Sequence, residues 1–335
     1  MFDVGEGVQR QMTFTPINAG TVDKIFITHM HADHVLGLPG LLLGMNLVQK
    51  AKATRRTVDI YGPPGLYDYI GMTVNLTHSG LDQIHIVVHE LTVSDDALQS
   101  HTRKNTYYRQ NVTCITVPRQ EDGTWILQDA IDAPTIKAAE VIHLKGIKTY
   151  GFTVQEQDAT RTINAEKAIA LGLRPGQKFR ELKCGKSVLS DDGSRWINPE
   201  DVLEDHPRKN RKFTLVGDNF ALTTAMKRLA QESDVLVHEA TLTKEQMERG
   251  EARIRGHSSA EMAGTVAKAV GAKCLVLNHI SAKMKTKLDI IDLRNRAKER
   301  SGDSCDLIVA HDFLELLIPP LGFDQIERDD SKQLE

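Results

Sequence analysis

Short apolar runs recur along the chain, and four of them end in residues that commonly bind metals or transfer protons. The runs IFIT, FTLV, DVLV and CLVL are rich in β-branched and apolar residues, which is typical of strands buried on both faces of a sheet. They lead into His29, Asp218, the pair His238 and Glu239, and His279. In open α/β sheets, sites form at the carboxyl ends of strands. The pattern therefore predicts one site assembled from distant parts of the chain.

The first run leads into an unusual concentration of ionisable side chains. The stretch KIFITHMHADHV places His29, His31, Asp33 and His34 within six residues. Burying these groups without partners would be costly, and no turn or helix cap requires this set. A lone histidine after a strand is more often a satisfied buried residue, and an isolated Asp218 in Gly-Asp-Asn is typical of a turn. Because the histidine cluster itself indicates a metal, the other strand-end residues become candidate partners.

Composition and charge narrow the class of protein. The chain has 335 residues, 40% of them hydrophobic, which is enough for a large core. No apolar run approaches the roughly 18 residues that a transmembrane helix needs, so we expect no membrane association. The net charge of −3 means that nucleic-acid binding would require local basic patches. The four cysteines are far apart and form no CxxC pair, which favours a reducing, intracellular compartment and argues against a cysteine zinc site.

The order of the motifs resembles that of a known family. The histidine-rich signature followed by GLPGLL is similar to that of metallo-β-lactamase-fold proteins. FDVGEGVQRQ, YGPPGL, VHEATL, GHSSAEMA and NHIS resemble, in the same order, segments of the ribonuclease Z family of tRNA 3′-processing endonucleases. The resemblance runs from Phe2 to about Phe313. It implies an α/β fold, the four-layer αββα sandwich with metals at one edge between the sheets. It also implies two Zn²⁺ per chain, precursor tRNA as the substrate and a homodimer.

The resemblance implies which residues hold the metals. In the signature, the first two histidines would bind one zinc ion and the Asp-His pair the other. Asp218 would bridge the two ions, and His279 would complete the second set. The last ligand of the first ion would come from IKAAEVIHLKGIKTYGF, where we favour His143 over Lys145 because neutral imidazole binds zinc and ammonium does not. The segment after His143 is two residues longer than usual in the family, which predicts a local bulge.

The resemblance also implies roles in proton transfer. Two zinc ions can activate a water and hold a phosphate for in-line attack. Asp33 would accept the proton of that water, and His257 would contact the scissile phosphate or protonate the leaving 3′-oxygen. Without the family context, the alternative interpretation of His257 is a helix-entry histidine before a capping box at Ser258–Glu261. His238 and Glu239 would orient ligands or His257.

Residues 155–212 are rich in Lys and Arg, with Pro and Gly breaks, and form an insertion between two of the strands that lead to the predicted site. The segment GLRPGQKFRELKCGK resembles the Pro-Gly core of the flexible arm with which the family grips the tRNA body. Five basic residues there could neutralise phosphates: Arg174, Lys178, Arg180, Lys183 and Lys186. The alternative is a solvated charged loop.

The remaining expectations concern the ends and a second insertion within the single domain, residues 1–335. Residues 89–132 match nothing in the family, and their alternation predicts a hairpin without an assigned function. The chain begins inside what resembles a strand, so the family's amino-terminal strands are expected to be missing. We expect an intracellular protein of the cytoplasm or nucleus. A location in an organelle is the alternative, because a chain that begins within a strand gives no basis for judging a targeting segment.

Two other functions compete with the nuclease. One is another phosphodiesterase of the superfamily, acting on small cyclic or aryl phosphodiesters; the basic arm argues against it. The other is an inactive RNA-binding or dimerisation partner. The complete ligand set argues against the inactive partner, whereas the short start and the longer segment after His143 favour it.

Overall fold

The computed structural model describes residues 1–93, 111–129, 133–157, 161–204 and 210–318, and the backbone of 327–328. The chain divides into two compact units. The first comprises Met1–Gln155, Lys212–Leu316 and Arg328–Glu335, and the second Glu156–Arg211 and Leu317–Glu327. Most of the second unit thus lies within residues 155–212, the range predicted to contain the basic arm.

The strands are numbered along the described residues. They are β1 (Lys24–Phe26), β2 (Arg56–Gly62), β3 (Ile84–Thr92), β4 (Val112–Pro118), β5 (Thr124–Gln128), β6 (Thr135–Ile142), β7 (Thr149–Gln155), β8 (Thr162–Ile163), β9 (Val188–Leu189), β10 (Trp196–Ile197), β11 (Leu203–Glu204), β12 (Lys212–Val216), β13 (Ala221–Leu222), β14 (Val235–Glu239), β15 (Cys274–Asn278), β16 (Asp306–Val309), β17 (Leu316–Leu317) and β18 (Glu327–Arg328).

The helices are numbered in the same way, and a short 3₁₀ turn covers Ala19–Thr21. They are α1 (Val8–Met12), α2 (Ala32–Val35), α3 (Leu38–Ala51), α4 (Leu66–Leu76), α5 (Ala165–Ala170), α6 (Gln177–Lys183), α7 (Pro199–Val202), α8 (Thr224–Leu229), α9 (Lys244–Glu248), α10 (Ala252–Arg255), α11 (Ala260–Val270) and α12 (Lys287–Ser301). Within the described ranges, no helix is long and apolar enough to span a membrane.

The first sheet of the first unit has the strand order β1-β2-β3-β4, and its neighbours are parallel. Helices α3 and α4 cover one face. In α3, Leu38, Leu41, Leu42 and Met45 recur at helical spacing and are all buried, which is the apolar stripe of a helix that packs on a core. The stripe lies against apolar residues of β1, β2 and β3.

The second sheet has the order β13-β6-β7-β12-β14-β15-β16, with β5 paired to β6. Helices α8, α11 and α12 cover its outer face. Its inner face meets the first sheet through a cluster of large rings that includes Phe26, Tyr61, Trp125, Tyr150 and Phe152. The resulting layers are helix, sheet, sheet and helix, and the predicted αββα fold class is confirmed.

The strand directions bring the candidate residues to one edge. Because β6 and β12 are both antiparallel to β7, they run in the same direction, and β12, β14 and β15 are parallel. Their carboxyl ends therefore share an edge. The loop after β1 joins this edge, since the carbonyl oxygen of Thr28 accepts a 3.0 Å hydrogen bond from the amide of Tyr150.

Two local predictions are wrong for the described residues. Strands β4 and β5 do not form the hairpin expected within residues 89–132, because β4 pairs with β3 in the first sheet while β5 pairs with β6 in the second. Residues 94–110 and 130–132 lie outside the described ranges. The bulge expected after His143 is also absent from the described ladder, which is regular up to the pair Val141↔Thr149. Residues 143–148 form the connecting turn between β6 and β7, where additional residues cost little free energy.

The second unit has a small core of its own. Its ladders are β8 with β11 and β9 with β10, both antiparallel. Helix α6 begins directly after Gly176, and its Leu182 is fully buried. The core is formed by Ala168, Leu173, Leu182, Val188, Ile197 and Val202.

Candidate metal centre

Three histidines from two chain segments point their ring nitrogens at one another. His29 Nε2 lies 2.9 Å from His31 Nδ1, and His143 Nε2 lies 3.4 Å from the same atom. His29 and His143 are buried. His143 directly follows β6, whereas Lys145 is exposed in the connecting turn. These three histidines, the first set, can all reach one cation together with Asp218.

A second set comprises Asp33, His34 and His279. Asp33 Oδ2 lies 3.3 Å from His279 Nε2 and 3.6 Å from His34 Nε2. His34 is buried, but the Asp33 side chain is 66% exposed. The second set is therefore more open to solvent than the first.

Asp218 lies between the two sets. Its Oδ2 is 3.8 Å from His29 Nε2, 3.6 Å from His34 Nε2 and 3.5 Å from His279 Nε2. Gly217 makes this position possible, because a Cβ there would lie 2.7 Å from Thr28 Cβ. One carboxylate oxygen can thus face cations held by either set. We call the two sets and Asp218 the candidate metal cluster.

Hydrogen bonds on the outer ring nitrogens orient two of these histidines through one carboxylate. His34 Nδ1 donates to Asp3 Oδ2 over 2.7 Å. Thr28 Oγ1 donates to the same oxygen over 2.8 Å, and this hydroxyl can accept from His29 Nδ1, which lies 3.0 Å away. With the outer nitrogen donating, each ring in its neutral form has a bare inner Nε2, which is the tautomer that binds a metal.

His143 and His279 are held in the same way by oxygens outside the cluster. His143 Nδ1 donates to the carbonyl oxygen of Gly256 over 2.7 Å. His279 Nδ1 lies 2.7 Å from Thr241 Oγ1. Sequence reasoning missed both Asp3 and Thr241. Asp3 stands in the FDVGEG segment, a signal that could have found it, but no spacing rule links Thr241 to a histidine 38 residues away.

Asp3 provides a test of this orientation. We expect Asp3→Ala to weaken zinc binding about 10–100-fold, because two histidines lose the contact that fixes their tautomers. Asp3→Asn keeps one acceptor oxygen, so its loss should be smaller. Competition with a chelator of known affinity measures the change, and zinc binding by Asp3→Ala at the parent's affinity would contradict the orienting role.

The charges of the cluster fit a divalent cation. Burial and the neighbouring His34 lower the pKa of His29 to about 3. Burial also disfavours the charged form of His34, but the Asp218 and Asp3 carboxylates outweigh it and raise the pKa of His34 to about 10. Burial opposes ionisation of Asp218, yet His34 and His279 hold its pKa well below the usual range. Without a metal, a proton on His34 therefore balances the negative charge of the carboxylates. A bound cation would take over that role.

The donor atoms also suit zinc. Imidazole nitrogens and carboxylate oxygens are among its common ligands in proteins. His34 Nε2 is buried and has no hydrogen-bond partner within the described part of the chain. An orphaned polar atom in a buried site is costly unless something binds it. The residues present therefore fit a metal.

Glu239 organises the residues around His257. Its carboxylate accepts from the amides of Asn219 and Ser258 and from Thr241 Oγ1. It also lies 3.1 Å from His257 Nδ1, and His257 Nδ1 is 3.7 Å from Asp218 Oδ2. Burial lowers the pKa of His257, but Glu239 outweighs burial and raises it above its ordinary value.

Two details differ from the sequence predictions. His238 lies outside the cluster, since successive strand residues point to opposite faces; it is fully buried, and its Nδ1 lies 2.8 Å from the Glu239 carbonyl oxygen. The helix cap after His257 is Ser259 rather than Ser258, because Ser258 Oγ donates instead to the Asn219 carbonyl oxygen.

The basic residues predicted for the arm differ in their availability. Lys178 Nζ lies 2.7 Å from Asp191 Oδ1, so its charge is already balanced. The exposed side chains of Arg180, Lys183 and Lys186 form no ion pair with any residue that the structure describes. Arg174 is exposed, and its amide donates to Asp191.

Comparison with known proteins places the chain among relatives of near-equal length. Residues 1–70 match a family model described as anti-Pycsar protein Apyc1. Human zinc phosphodiesterase ELAC protein 1 is 36% identical, covering 95% of this chain and 90% of that protein. Ribonuclease Z of Bacillus velezensis is 35% identical, covering 95% of this chain and 88% of its own.

Solved structures agree with the sequence relatives. The crystal structure of human tRNase Z, short form, is 28% identical with a TM-score of 0.58, and the match covers 93% of this chain and 85% of that one. A metallo-β-lactamase fold protein from Bacillus subtilis is 15% identical with a TM-score of 0.52, and the match covers 93% of this chain and 84% of that one. At this identity, the match shows only that the two proteins have the same fold. Because relatives more than 30% identical match nearly the whole chain, this protein belongs to the ribonuclease Z family within the metallo-β-lactamase fold.

Proposed function

We propose that this protein is a zinc-dependent endoribonuclease that removes the 3′ trailer from precursor tRNA and leaves a 3′-hydroxyl on the tRNA. The observation that carries the proposal is the convergence on Asp218 of imidazoles from separate segments, with Oδ2 within 3.8 Å of His29, His34 and His279. Relatives named ribonuclease Z and zinc phosphodiesterase match the chain over most of its length.

Two zinc ions per chain are the occupancy that the two sets support. The first set would hold one ion and the second set the other, with Asp218 facing both. Zinc, when bound, supplies a Lewis acid for the phosphate oxygens and lowers the pKa of water. The chain contributes the fixed tautomers of its histidines and a largely buried setting.

Two residues near the cluster are the proposed groups for proton transfer. Asp33 is exposed, and the charge of His34 helps to hold the pKa of its carboxyl below the usual range against the effect of its partial burial, so it is ionised at neutral pH and can accept a proton from water. His257 is oriented by Glu239 over 3.1 Å and is partly open to solvent. From there it can contact the scissile phosphate or protonate the departing 3′-oxygen. General acid–base catalysis of this kind contributes about 10²–10⁴-fold.

The second unit is proposed to bind the tRNA body. Its exposed basic side chains can neutralise phosphates away from the scissile bond, and such contacts supply much of RNA affinity. A homodimer, in which the arm of each chain serves its partner, is the assembly that the family resemblance suggests. The wide spacing of the four cysteines supports an intracellular location.

The decisive experiment is cleavage of a precursor tRNA by purified protein, with the product ends mapped. We expect one cut at the trailer junction, a 3′-hydroxyl on the tRNA, a 5′-phosphate on the trailer, and loss of activity after chelation with recovery on adding zinc. Hydrolysis of a small aryl phosphodiester without tRNA cleavage would instead support the other phosphodiesterase. RNA binding without zinc or cleavage would support the inactive partner.

The zinc count tests the assignment of His143. We expect His143→Ala to retain about one zinc per chain instead of two, because the first set loses an inward-facing nitrogen. Lys145→Ala is the matched control, since this neighbouring side chain is exposed, and it should retain both ions. Metal analysis of the purified variants gives the ratio directly. Loss of zinc from the Lys145 variant alone would overturn the assignment.

A further inference from the structure

An open hollow in the first unit is lined by two aromatic rings. Its volume is about 480 Å³, and its lining residues are Gly7, Arg10, Gln11, Phe14 and Phe313. Phe14 is 63% exposed and Phe313 is 37% exposed. Their ring centroids lie 6.0 Å apart in an edge-to-face arrangement. Two large rings thus meet in a solvent-open, cationic hollow instead of the core.

The elements that form the hollow are neighbours of those that carry the second set of the candidate metal cluster. Strand β16 is parallel to β15, so Phe313, after β16, lies at the strand end next to the one that carries His279. On the other side, Gly5 lies against Asp33, because a Cβ on Gly5 would be 2.3 Å from the Asp33 carbonyl oxygen. Helix α1 follows Gly5 and carries Arg10. The elements that form the hollow are therefore those that adjoin Asp33 and His279.

Phe313 also has an unusual backbone conformation. Its φ is +64°, in the left-handed region that bulky residues rarely adopt. Residues held in such conformations are strained, and they cluster at ligand clamps and active sites. The exposed ring is therefore held in place at some cost, which favours a role in contact with a ligand.

We propose that Phe14, Phe313 and Arg10, the aromatic subsite, receive an unpaired nucleobase of the RNA next to the scissile phosphate. This inference rests on the proposed function and names a contact for its substrate. Proteins recognise single-stranded RNA chiefly by stacking bases on aromatic rings and Arg guanidinium planes. The RNA leaves base pairing at the trailer junction, so a base is available to stack. Arg10 adds a positive charge that complements the adjoining phosphate.

A double-mutant cycle, which combines protein variants with modified RNA substrates, tests the aromatic subsite. The probes are an intact precursor tRNA and two versions with an abasic ribose, one on each side of the cleaved bond. Stacking is worth about 1–3 kcal/mol per base, so Phe14→Ala should lower kcat/KM on the intact substrate about tenfold. On the substrate that lacks the stacked base, the same variant should lose less than about twofold, because that interaction is already gone.

Further variants separate stacking from folding. Phe313→Ala should give the same pattern, with a loss that depends on the base. Leu76→Ala is the control, since Leu76 is also exposed, at 71%, but lies at the end of α4 on the outer face of the first sheet; it should change none of the three rates by more than about twofold.

Three outcomes would overturn the inference. Equal losses of kcat/KM on the intact substrate and on both abasic substrates would show that Phe14 stabilises the fold and does not stack on a base. A shift in oligomeric state with base-independent rates would assign the hollow to a second copy of the chain. Failure of the parent protein to cut any precursor tRNA would overturn the proposed function as well, whereas the first two outcomes leave it standing.

Discussion

Replacing Asp218 with alanine is expected to remove most of the bound zinc and to lower cleavage of precursor tRNA by at least about 10³-fold. A bound metal supplies several kcal/mol of transition-state stabilisation, and each 1.4 kcal/mol is tenfold in rate. Asp218 is the carboxylate that faces both sets, with Oδ2 within 3.8 Å of His29, His34 and His279. Its loss also leaves these imidazoles crowded without a counter-charge, which weakens cation binding further.

A matched control removes a different aspartate that pairs with a histidine. Asp59 Oδ1 lies 2.7 Å from His89 Nε2 in the first sheet, outside the candidate metal cluster. Asp59→Ala should retain zinc and cleavage at near-parent levels even if it lowers the melting temperature. Metal analysis, circular dichroism and single-turnover cleavage of both variants give the comparison. Two zinc ions at full occupancy in Asp218→Ala would refute the bridging position.

The second large effect is expected from removing three charges of the second unit. Combined substitution of Arg180, Lys183 and Lys186 by alanine should weaken binding of precursor tRNA about 10–100-fold at low salt. Each phosphate contact contributes roughly 0.7–0.9 to the slope of log affinity against log salt concentration. Loss of three contacts should therefore make the slope shallower by about two to three. The rate at saturating substrate should change less than KM, because the candidate metal cluster belongs to the first unit.

Lys178→Ala is the matched control for these charges. Lys178 lies on α6 with Arg180 and Lys183, but its ammonium group is 2.7 Å from Asp191 Oδ1, so its removal takes away a charge that is already balanced. We expect a clearly smaller change in affinity and in salt slope than for the triple variant. Replacing residues 174–186 by a flexible linker is less informative, because it deletes Leu182 from the small core of the second unit. An unchanged salt slope in the triple variant would contradict the binding role.

Sequence alone was informative where the chemistry is contiguous. The histidine-rich loop after β1 is recognisable because its residue types have no simpler use, and the αββα layers were expected from the resemblance of the motifs to those of the metallo-β-lactamase fold. The residues after β12 and β15 were also found, because strand ends gather at one edge when the strands run the same way, whereas His143, after β6, was implied by the family resemblance. The histidine-rich loop and these strand ends depend on local spacing and on a small set of packing rules.

The tertiary structure decided what depends on contacts between distant segments. The pairing of β4 and β5 with different sheets overturned a hairpin that the local pattern favoured. Asp3 and Thr241 orient ligands 31 and 38 residues away in sequence, and no spacing rule links either residue to its histidine. Glu239 faces the site while His238 does not, because the register of one strand against its partners selects which alternate side chain points inward. Spacing specifies which residues could bind a metal, but only the register and packing of the whole chain determine which atoms meet.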